Sequence, residues 1–354
     1  MRAAVMRNDS LLVDDIPDPA PGPGEVIARV LACGICGSDL HFLRHGRRMV
    51  ALGREMSAGA PGGGMSRLDL DRDVVMGHEF CCEVVGLGPG VTGVNEGDVV
   101  VSMPMVVKGT DFTDPTAIEA IGYSNTYPGG YSEALILSSM LAIAVPNGLD
   151  PRYAALTEPM AVGWHAVQKS GIKPGEAAVV LGAGPVGLAV IAGLRLVGIE
   201  PIVAADFSPT RRALALTMGA HEAVDPKSEP AVQAWQRIDG AKTLVIYEAV
   251  GVPGMIDQAM RDAPRGSRIL VVGVCMEEDR VRPMIGIGKE LTIQFALGYD
   301  PFEFASTLRN IAEGALDVQP LVTGEVGVAG VPQAFEDLAH PDLHAKILVE
   351  PALD

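Results

Sequence analysis

Residues 177–196 read AAVVLGAGPVGLAVIAGLRL, and no other stretch restricts the possible folds as tightly. An apolar run of strand length leads into a glycine-rich turn, and the turn opens a segment of helical character. Gly182, Gly184 and Gly187 form a G-x-G-x-x-G pattern whose middle holds Pro185 and Val186. Among 42 glycines in 354 residues the triplet alone is weak, so its surroundings must carry the assignment. The next apolar run, PIVAAD, ends in Asp206, 24 positions after Gly182, close to the ~20 expected of an acid that bonds an adenosine ribose. Gly182 then permits the tight turn, Gly184 lets the backbone approach a pyrophosphate, and Gly187 lets helix and strand pack closely. The helix N-terminus offers its N–H groups to the phosphates. Asp206 would repel a 2′-phosphate, so NAD is expected ahead of NADP. Arg211 and Arg212 temper that choice: Arg211 is a candidate cofactor residue, while for both the plainer reading is a solvated position early in a helix.

From about residue 158 the rhythm is strand then helix. Apolar runs AAVVLG, PIVAAD, TLVIYEAVG, RILVVGVC and LTIQFALGY alternate with helical segments such as SPTRRALALTMGA and GMIDQAMRDA. In SPTRRALALTMGA, Ser208 is the expected N-cap, Pro209 the first helical residue and Gly219 the stop. Continuous β-branched runs imply strands buried on both faces, hence a parallel sheet covered by helices. From residue 1 to about 150 the pattern differs: EVIARVLAC, CCEVVGLG, DVVVSMP and EALILS are separated by PGPG, GPG, NEGD and YPGG, which reads as an antiparallel barrel or sandwich. The chain is long enough for two domains. After about 299 a helix in PFEFASTLRNIAEGAL and a last strand in AKILVE are expected to rejoin the first domain. GREMSAGAPGGGMSRLDLDRD, 53–73, reads as a mobile solvent loop.

A formal net charge of −17 repels phosphate backbones and anionic headgroups, so neither a nucleic acid nor a membrane surface is the expected partner. The N-terminal MRAAVMRNDSLLVDD has no apolar run of signal-peptide length, no segment offers the ~18 uninterrupted apolar residues of a bilayer span, and cytoplasmic residence is the simplest expectation. The five cysteines, Cys33, Cys36, Cys81, Cys82 and Cys275, are too sparse for a secreted disulfide framework. Cys81, Cys82 and Cys275 read as core residues.

Cys36, the pair His78-Glu79 and Glu158 offer a thiolate, an imidazole and carboxylates, a set that suits zinc. Taken alone, these residues fit a buried cysteine and a surface His-Glu pair equally well. The ordered motifs CGICGSDLH, GHE, GDVVV, GGYSEALIL, EPMAVGWHAV, VVLGAGPVGL and DFSPTRRALALTMGA resemble the zinc-dependent medium-chain alcohol and polyol dehydrogenases over essentially the whole chain. The likeness is greatest to the sorbitol, butanediol and threonine dehydrogenase branch.

The resemblance implies an α/β protein with a GroES-like β-barrel catalytic domain, 1–157 and 299–354, and a Rossmann doubly wound parallel-sheet domain, 158–298, with the active site in the cleft between. It implies that Cys36, His78 and Glu79 bind zinc, with Glu158 a further ligand directly or through water. Glu79 counts as both ligand and catalytic residue, binding permanently or exchanging with water. Ser38 and His41, in what is expected to be a metal-binding loop, match the relay that takes the alcohol proton to solvent, with Asp39 supporting the turn by hydrogen bonds and Cys33 a packing neighbour. Relatives often carry four cysteines for a structural zinc where this chain has the cysteine-free SMPMVVKGTDFTDPTAIEAIGYSN, so one catalytic zinc per subunit is expected. The implied reaction is hydride transfer between a secondary alcohol, diol or polyol, or the matching ketone, and NAD(H), in a homodimer or homotetramer. A noncatalytic nucleotide-binding relative and an NADP-dependent carbonyl reductase are the alternatives.

Overall fold

The two sequence rhythms correspond to two contact units in the computed structural model, which describes residues 1–57, 64–108 and 117–354. The first unit comprises Met1–Glu158, Val322–His340 and Lys346–Asp354, the second Pro159–Leu321 and Pro341–Ala345.

In the first unit the strand Glu25–Gly34 organises the rest. Val26, Ala28 and Val30 are buried while Arg29 between them is exposed, the alternation of a strand with one face on a core. It pairs antiparallel with Glu79–Leu87, Ala134–Ser138 and Lys346–Val349. The sheet runs Ala142–Ala144, Val99–Ser102, Glu79–Leu87, Glu25–Gly34, Lys346–Val349, Val322–Val326, and its last pair is parallel. Ser10–Asp15, Arg2–Arg7 and Val74–Val75 form a smaller sheet, and Phe80, Leu135, Leu137 and Ile347 lie in the shared core. Register then positions chemistry. Gly34 pairs with Glu79 on one side and Leu348 on the other, so residue 36, residues 78–79 and the start of the C-terminal strand meet at one strand end.

The expected metal-binding loop is a helix, Gly37–Met56, kinked at His45. Besides Asp39, its buried residues are Phe42, Gly46 and Val50, four apart on one face, while Arg44, Arg47 and Arg48 are exposed; this amphipathic spacing favours a helix over a loop. The helix takes in 53–56 of the loop expected at 53–73, and Gly64–Arg67 is a 3-10 turn. Residues 58–63 lie outside the described residues, as do 109–116 of the cysteine-free stretch, whose flanks Met105–Val107 and Ile118–Ala120 pair antiparallel.

The second unit is a six-stranded sheet in the order Glu222–Val224, Ile202–Ala205, Ala177–Leu181, Leu244–Glu248, Arg268–Val271, Thr292–Phe295. Every pairing in it is parallel, and order reverses beside the glycine-rich strand, as in a doubly wound fold. Leu244–Glu248 is buried throughout, the continuous burial that helices on both faces produce. Ser208 caps the helix Pro209–Thr217 by accepting from the Arg211 N–H, and Gly219 follows at φ +117°.

One expected boundary moves. Helix Pro301–Ala312, placed with the first domain by the sequence, belongs to the second unit, and the chain returns at Val322 rather than 299. Its buried residues Phe304, Thr307, Leu308 and Ile311 form one helical stripe, and Glu303 bonds His165 at 2.8 Å. His165 is thereby a satisfied packing histidine. Cys275 also departs from its expected core position: it is half-buried in the loop after Arg268–Val271 and donates to the Glu277 carbonyl.

Candidate metal and nucleotide sites

Cys36 precedes the helix Gly37–Met56 and His78 precedes the strand Glu79–Leu87, so both sit where an element begins. One ligand atom each of Cys36, His78 and Glu79 lie within 4.8 Å of one another. Sulfur, nitrogen and oxygen donors at this separation suit a zinc ion after small adjustment.

Asp39 braces this trio. Its fully buried carboxylate accepts from Tyr131 Oη at 2.6 Å and the Cys36 N–H at 3.1 Å on Oδ2, and from Tyr123 Oη at 2.7 Å on Oδ1. His78 Nδ1, buried and with no regular hydrogen-bond partner, stands 3.3 Å from the same Oδ1. Burial pushes the Asp39 pKa up, but the facing His78 ring and the tyrosine hydroxyls outweigh it and hold the carboxyl below its ordinary range. A carboxylate beside Nδ1 favours the tautomer whose Nε2 lone pair is available to a metal.

Glu79 has a partner the sequence did not reveal. Lys346 Nζ lies 2.7 Å from both carboxylate oxygens and donates also to the Ile35 carbonyl at 3.0 Å. The three ammonium protons thus have three acceptors, and the pair is buried, at 1% and 0% side-chain exposure. Each Glu79 oxygen keeps a further lone pair.

The other candidates fall around this group. Ser38 Oγ is 3.1 Å from Tyr123 Oη and 3.5 Å from His78 Nε2. His41 lies one turn further along the helix, half-buried, with its ring 6.5 Å from that of His45. Glu158, in the first turn of Thr157–Ser170, is not in the trio; its charge acts on Lys346. Cys33 is fully buried, and burial together with the Glu79 and Asp39 charges pushes its thiol pKa well up, so it is no thiolate donor. Tyr123, Tyr131 and Lys346 escaped sequence reasoning: their roles need contacts 84, 92 and 267 residues away, which leave no local pattern.

In the second unit Gly182, Gly184, Asp206, Ser208, Arg211 and Pro341 line a cavity of about 320 Å³. Gly182 has φ +92°, which L side chains resist, and a Cβ on Gly187 would fall 1.9 Å from the Gly182 carbonyl oxygen. Pro185, Val186 and Gly187 form the first turn of Pro185–Leu196, where N–H groups lack helical partners and favour anions. The Asp206 carboxylate accepts from the Ala183 N–H at 2.9 Å and the Ser208 N–H at 2.8 Å, so its orientation is fixed. Arg211 is half-buried, with Nε buried and lacking a hydrogen-bond partner, an orphan donor in the lining of this cavity. Arg212 is not the solvated residue the sequence suggested: it donates to the Asp206 and Phe207 carbonyls at 2.8 and 2.9 Å.

A metal trio on a mainly antiparallel unit and a dinucleotide turn on a doubly wound one define a zinc- and nucleotide-binding oxidoreductase. Residues 22–147 match the alcohol dehydrogenase GroES-like domain and residues 185–313 the zinc-binding dehydrogenase domain. The chain is 31% identical to (R,R)-butanediol dehydrogenase of Bacillus subtilis, over 99% of this chain and all of that protein. The crystal structure of the 2R,3R-butanediol dehydrogenase from that organism superposes with a TM-score of 0.83 at 30% identity, covering 99% of each chain. Sorbitol dehydrogenase of B. subtilis is 26% identical over 95% of this chain and 93% of its own. A putative zinc-binding dehydrogenase from Sinorhizobium meliloti, solved with NADP bound, gives 0.82 at 27% identity over 99% of both chains. The chain belongs to the zinc-type medium-chain alcohol and polyol dehydrogenase family. Among the described residues no helix is long and apolar enough to cross a membrane.

Proposed function

We propose that this protein is an NAD-dependent zinc dehydrogenase that interconverts a secondary alcohol, vicinal diol or polyol and its ketone. The observation that carries the reading is the Cys36, His78, Glu79 trio with Ser38 Oγ at its edge. Such ions when bound supply the positive charge that makes an alcohol hydroxyl acidic near neutral pH, and the nicotinamide supplies the hydride acceptor.

The chain's own residues do the rest. Cys36 and His78 hold the metal, with His78 oriented by Asp39. Glu79 serves as third donor while Lys346 holds its carboxylate, and Glu158 reaches the site through water. Ser38 takes up the alcohol proton and His41 passes it outward. The glycine-rich turn receives the pyrophosphate and Asp206 the adenosine ribose. Butanediol and sorbitol relatives favour neighbouring hydroxyls in the substrate. Two backbone N–H groups hold the Asp206 carboxylate in place, where it would repel a 2′-phosphate, which favours NAD, although the S. meliloti relative binds NADP.

Self-association as a homodimer or homotetramer is part of the proposal. Among the described residues the edge strand Thr292–Phe295 pairs on one side only, and Phe295 within it and Leu297 and Ile287 near it in sequence are exposed, a combination that native monomers avoid. Cytoplasmic residence is supported by five free cysteines. Metal analysis with a panel of diols, polyols, sugars and aromatic alcohols, assayed with NAD and NADP, tests the function. Bound zinc and NADH formation from a diol or polyol are expected; neither zinc nor cofactor reduction across the panel would refute it.

A further inference from the structure

Pro341–Ala345 belongs to the second unit, although His340 and Lys346 on either side of it belong to the first. Pro341 lines the cavity at the glycine-rich turn, and the Asp342 carboxylate accepts from the hydroxyl of Ser208, 134 residues earlier. We propose that Asp342 is a specificity-determining residue for the cofactor: together with Asp206 it excludes the 2′-phosphate that distinguishes NADP from NAD. The inference rests on the NAD-dependent reading and deepens it by assigning a second acid to that choice.

A ribose hydroxyl carries its own proton and can give it to a carboxylate. A 2′-phosphate instead brings roughly two negative charges at neutral pH, and it needs free N–H or O–H groups beside Asp206. The nearest ones are already engaged. The Ala183 and Ser208 N–H groups bond the Asp206 carboxylate, at 2.9 and 2.8 Å. Ser208 has one hydroxyl proton, and its direction is set: Asp342 only accepts, and the serine oxygen itself accepts the Arg211 N–H at 3.2 Å. Asp342 therefore occupies the last donor of Ser208.

Asp206 by itself would face opposing charge. Arg211 lines the cavity with its buried Nε unpaired, and Lys227 Nζ lies 5.1 Å over the ring of Phe207, another lining residue. Both cations would draw a 2′-phosphate. Arg212 is already held, by the Asp206 and Phe207 carbonyls, and stands 3.8 Å from Asp225. Asp342 shifts this balance by fixing a negative charge on Ser208, two places after Asp206. A like charge acts at a distance, so Asp342 need not touch NAD to disfavour NADP.

Adenosine 5′-monophosphate and adenosine 2′,5′-bisphosphate represent the adenosine ends of NAD and NADP. Their binding to the zinc-loaded full chain is measured by calorimetry for wild type, Asp342→Asn and Asp342→Ala. Asp342 is exposed, so both variants should fold, which melting temperatures check. Asp342→Asn keeps an acceptor for Ser208 and loses the charge. The bisphosphate is expected to bind it about tenfold tighter, the scale of one like charge removed from a partly screened site, with the monophosphate within about twofold. Asp342→Ala also frees the Ser208 hydroxyl and should tighten the bisphosphate about threefold further. The gain in Asp342→Asn should shrink to about twofold in about 1 M sodium chloride, which the loss of a packing contact would not produce. Bisphosphate affinity unchanged in both variants, equal changes for the two ligands, or a gain insensitive to salt would overturn the role of Asp342 while leaving the NAD reading intact. A wild type that binds the bisphosphate more tightly than the monophosphate would overturn both.

Discussion

The nucleotide site and the metal site are built in opposite ways. Gly182, Gly184, Gly187, Asp206 and Arg211 come from thirty consecutive positions, and their main fixing bonds are backbone bonds within the same stretch, from Ala183 and Ser208 to Asp206. The metal site draws Cys36, Asp39, His78, Glu79, Tyr123, Tyr131 and Lys346 from across the first unit, and its fixing groups are side chains. The first site is a property of a local βαβ conformation. The second confines an acid, a histidine and a lysine-glutamate pair in a space that excludes water, where each charge depends on its partner. Damage to a single residue should therefore stay contained in the first site and spread through the second.

The sharpest test is Cys36→Ala. It removes the sole thiolate donor of the trio, and zinc content by metal analysis together with alcohol-dependent NADH formation should fall about a thousandfold or more, roughly the effect of losing a first ligand and its charge. NAD binding to the second unit, followed by fluorescence, should be unchanged; a matching loss there would break the contrast between the sites.

Lys346→Met comes next. It leaves the Glu79 carboxylate buried without its counter-charge, and denaturant unfolding should show a loss of about 3–5 kcal/mol. Adding Glu79→Gln to it should recover part of that stability, because no unpaired charge then remains. If Lys346→Met is as stable as wild type, the buried ion pair is not a supporting element.

Asp206→Ala should be milder and confined to cofactor use. The KM for NAD should rise about tenfold, the order of one or two hydrogen bonds to a charged group, and the NADP to NAD preference should move toward NADP, with zinc content unaffected. Smallest is Ser208→Ala, which removes the cap that accepts from Arg211 and should cost about 1 kcal/mol, read as a lower melting temperature with little change in zinc-dependent chemistry.

How much was legible in the sequence follows the same division. The strands Ala177–Leu181, Ile202–Ala205, Leu244–Glu248 and Arg268–Val271, the cap at Ser208 and the stop at Gly219 were readable because apolar periodicity and capping are local. The short strand Glu222–Val224 and the helix Ala231–Asp239 did not stand out, since the strand has three residues and the helix begins without a capping side chain. The helix Gly37–Met56 hid behind charged residues and glycines that suggest a loop, and only the burial of Phe42, Gly46 and Val50 makes it a helix. Helix Pro301–Ala312 was visible as a helix, but which unit it packs in depends on partners such as His165. Cys36, His78 and Glu79 were recognised through ordered motifs, since positions 42 apart carry no spacing signal.

By itself the sequence determined the two architectures, the dinucleotide turn with its acid, the donor types available for a metal, and the absence of cysteines where a second zinc would be held. Each of these is encoded in side-chain type and short-range order, which act through local conformation. Tertiary structure alone decided that Lys346 neutralises Glu79, that Asp39 collects two tyrosine hydroxyls and faces His78, and that Ser38 Oγ comes within 3.1 Å of Tyr123 Oη. Those outcomes follow from strand register at Gly34, Glu79 and Leu348 and from the need of every buried charge for a partner. Both are conditions on positions far apart in the chain, met only when it folds.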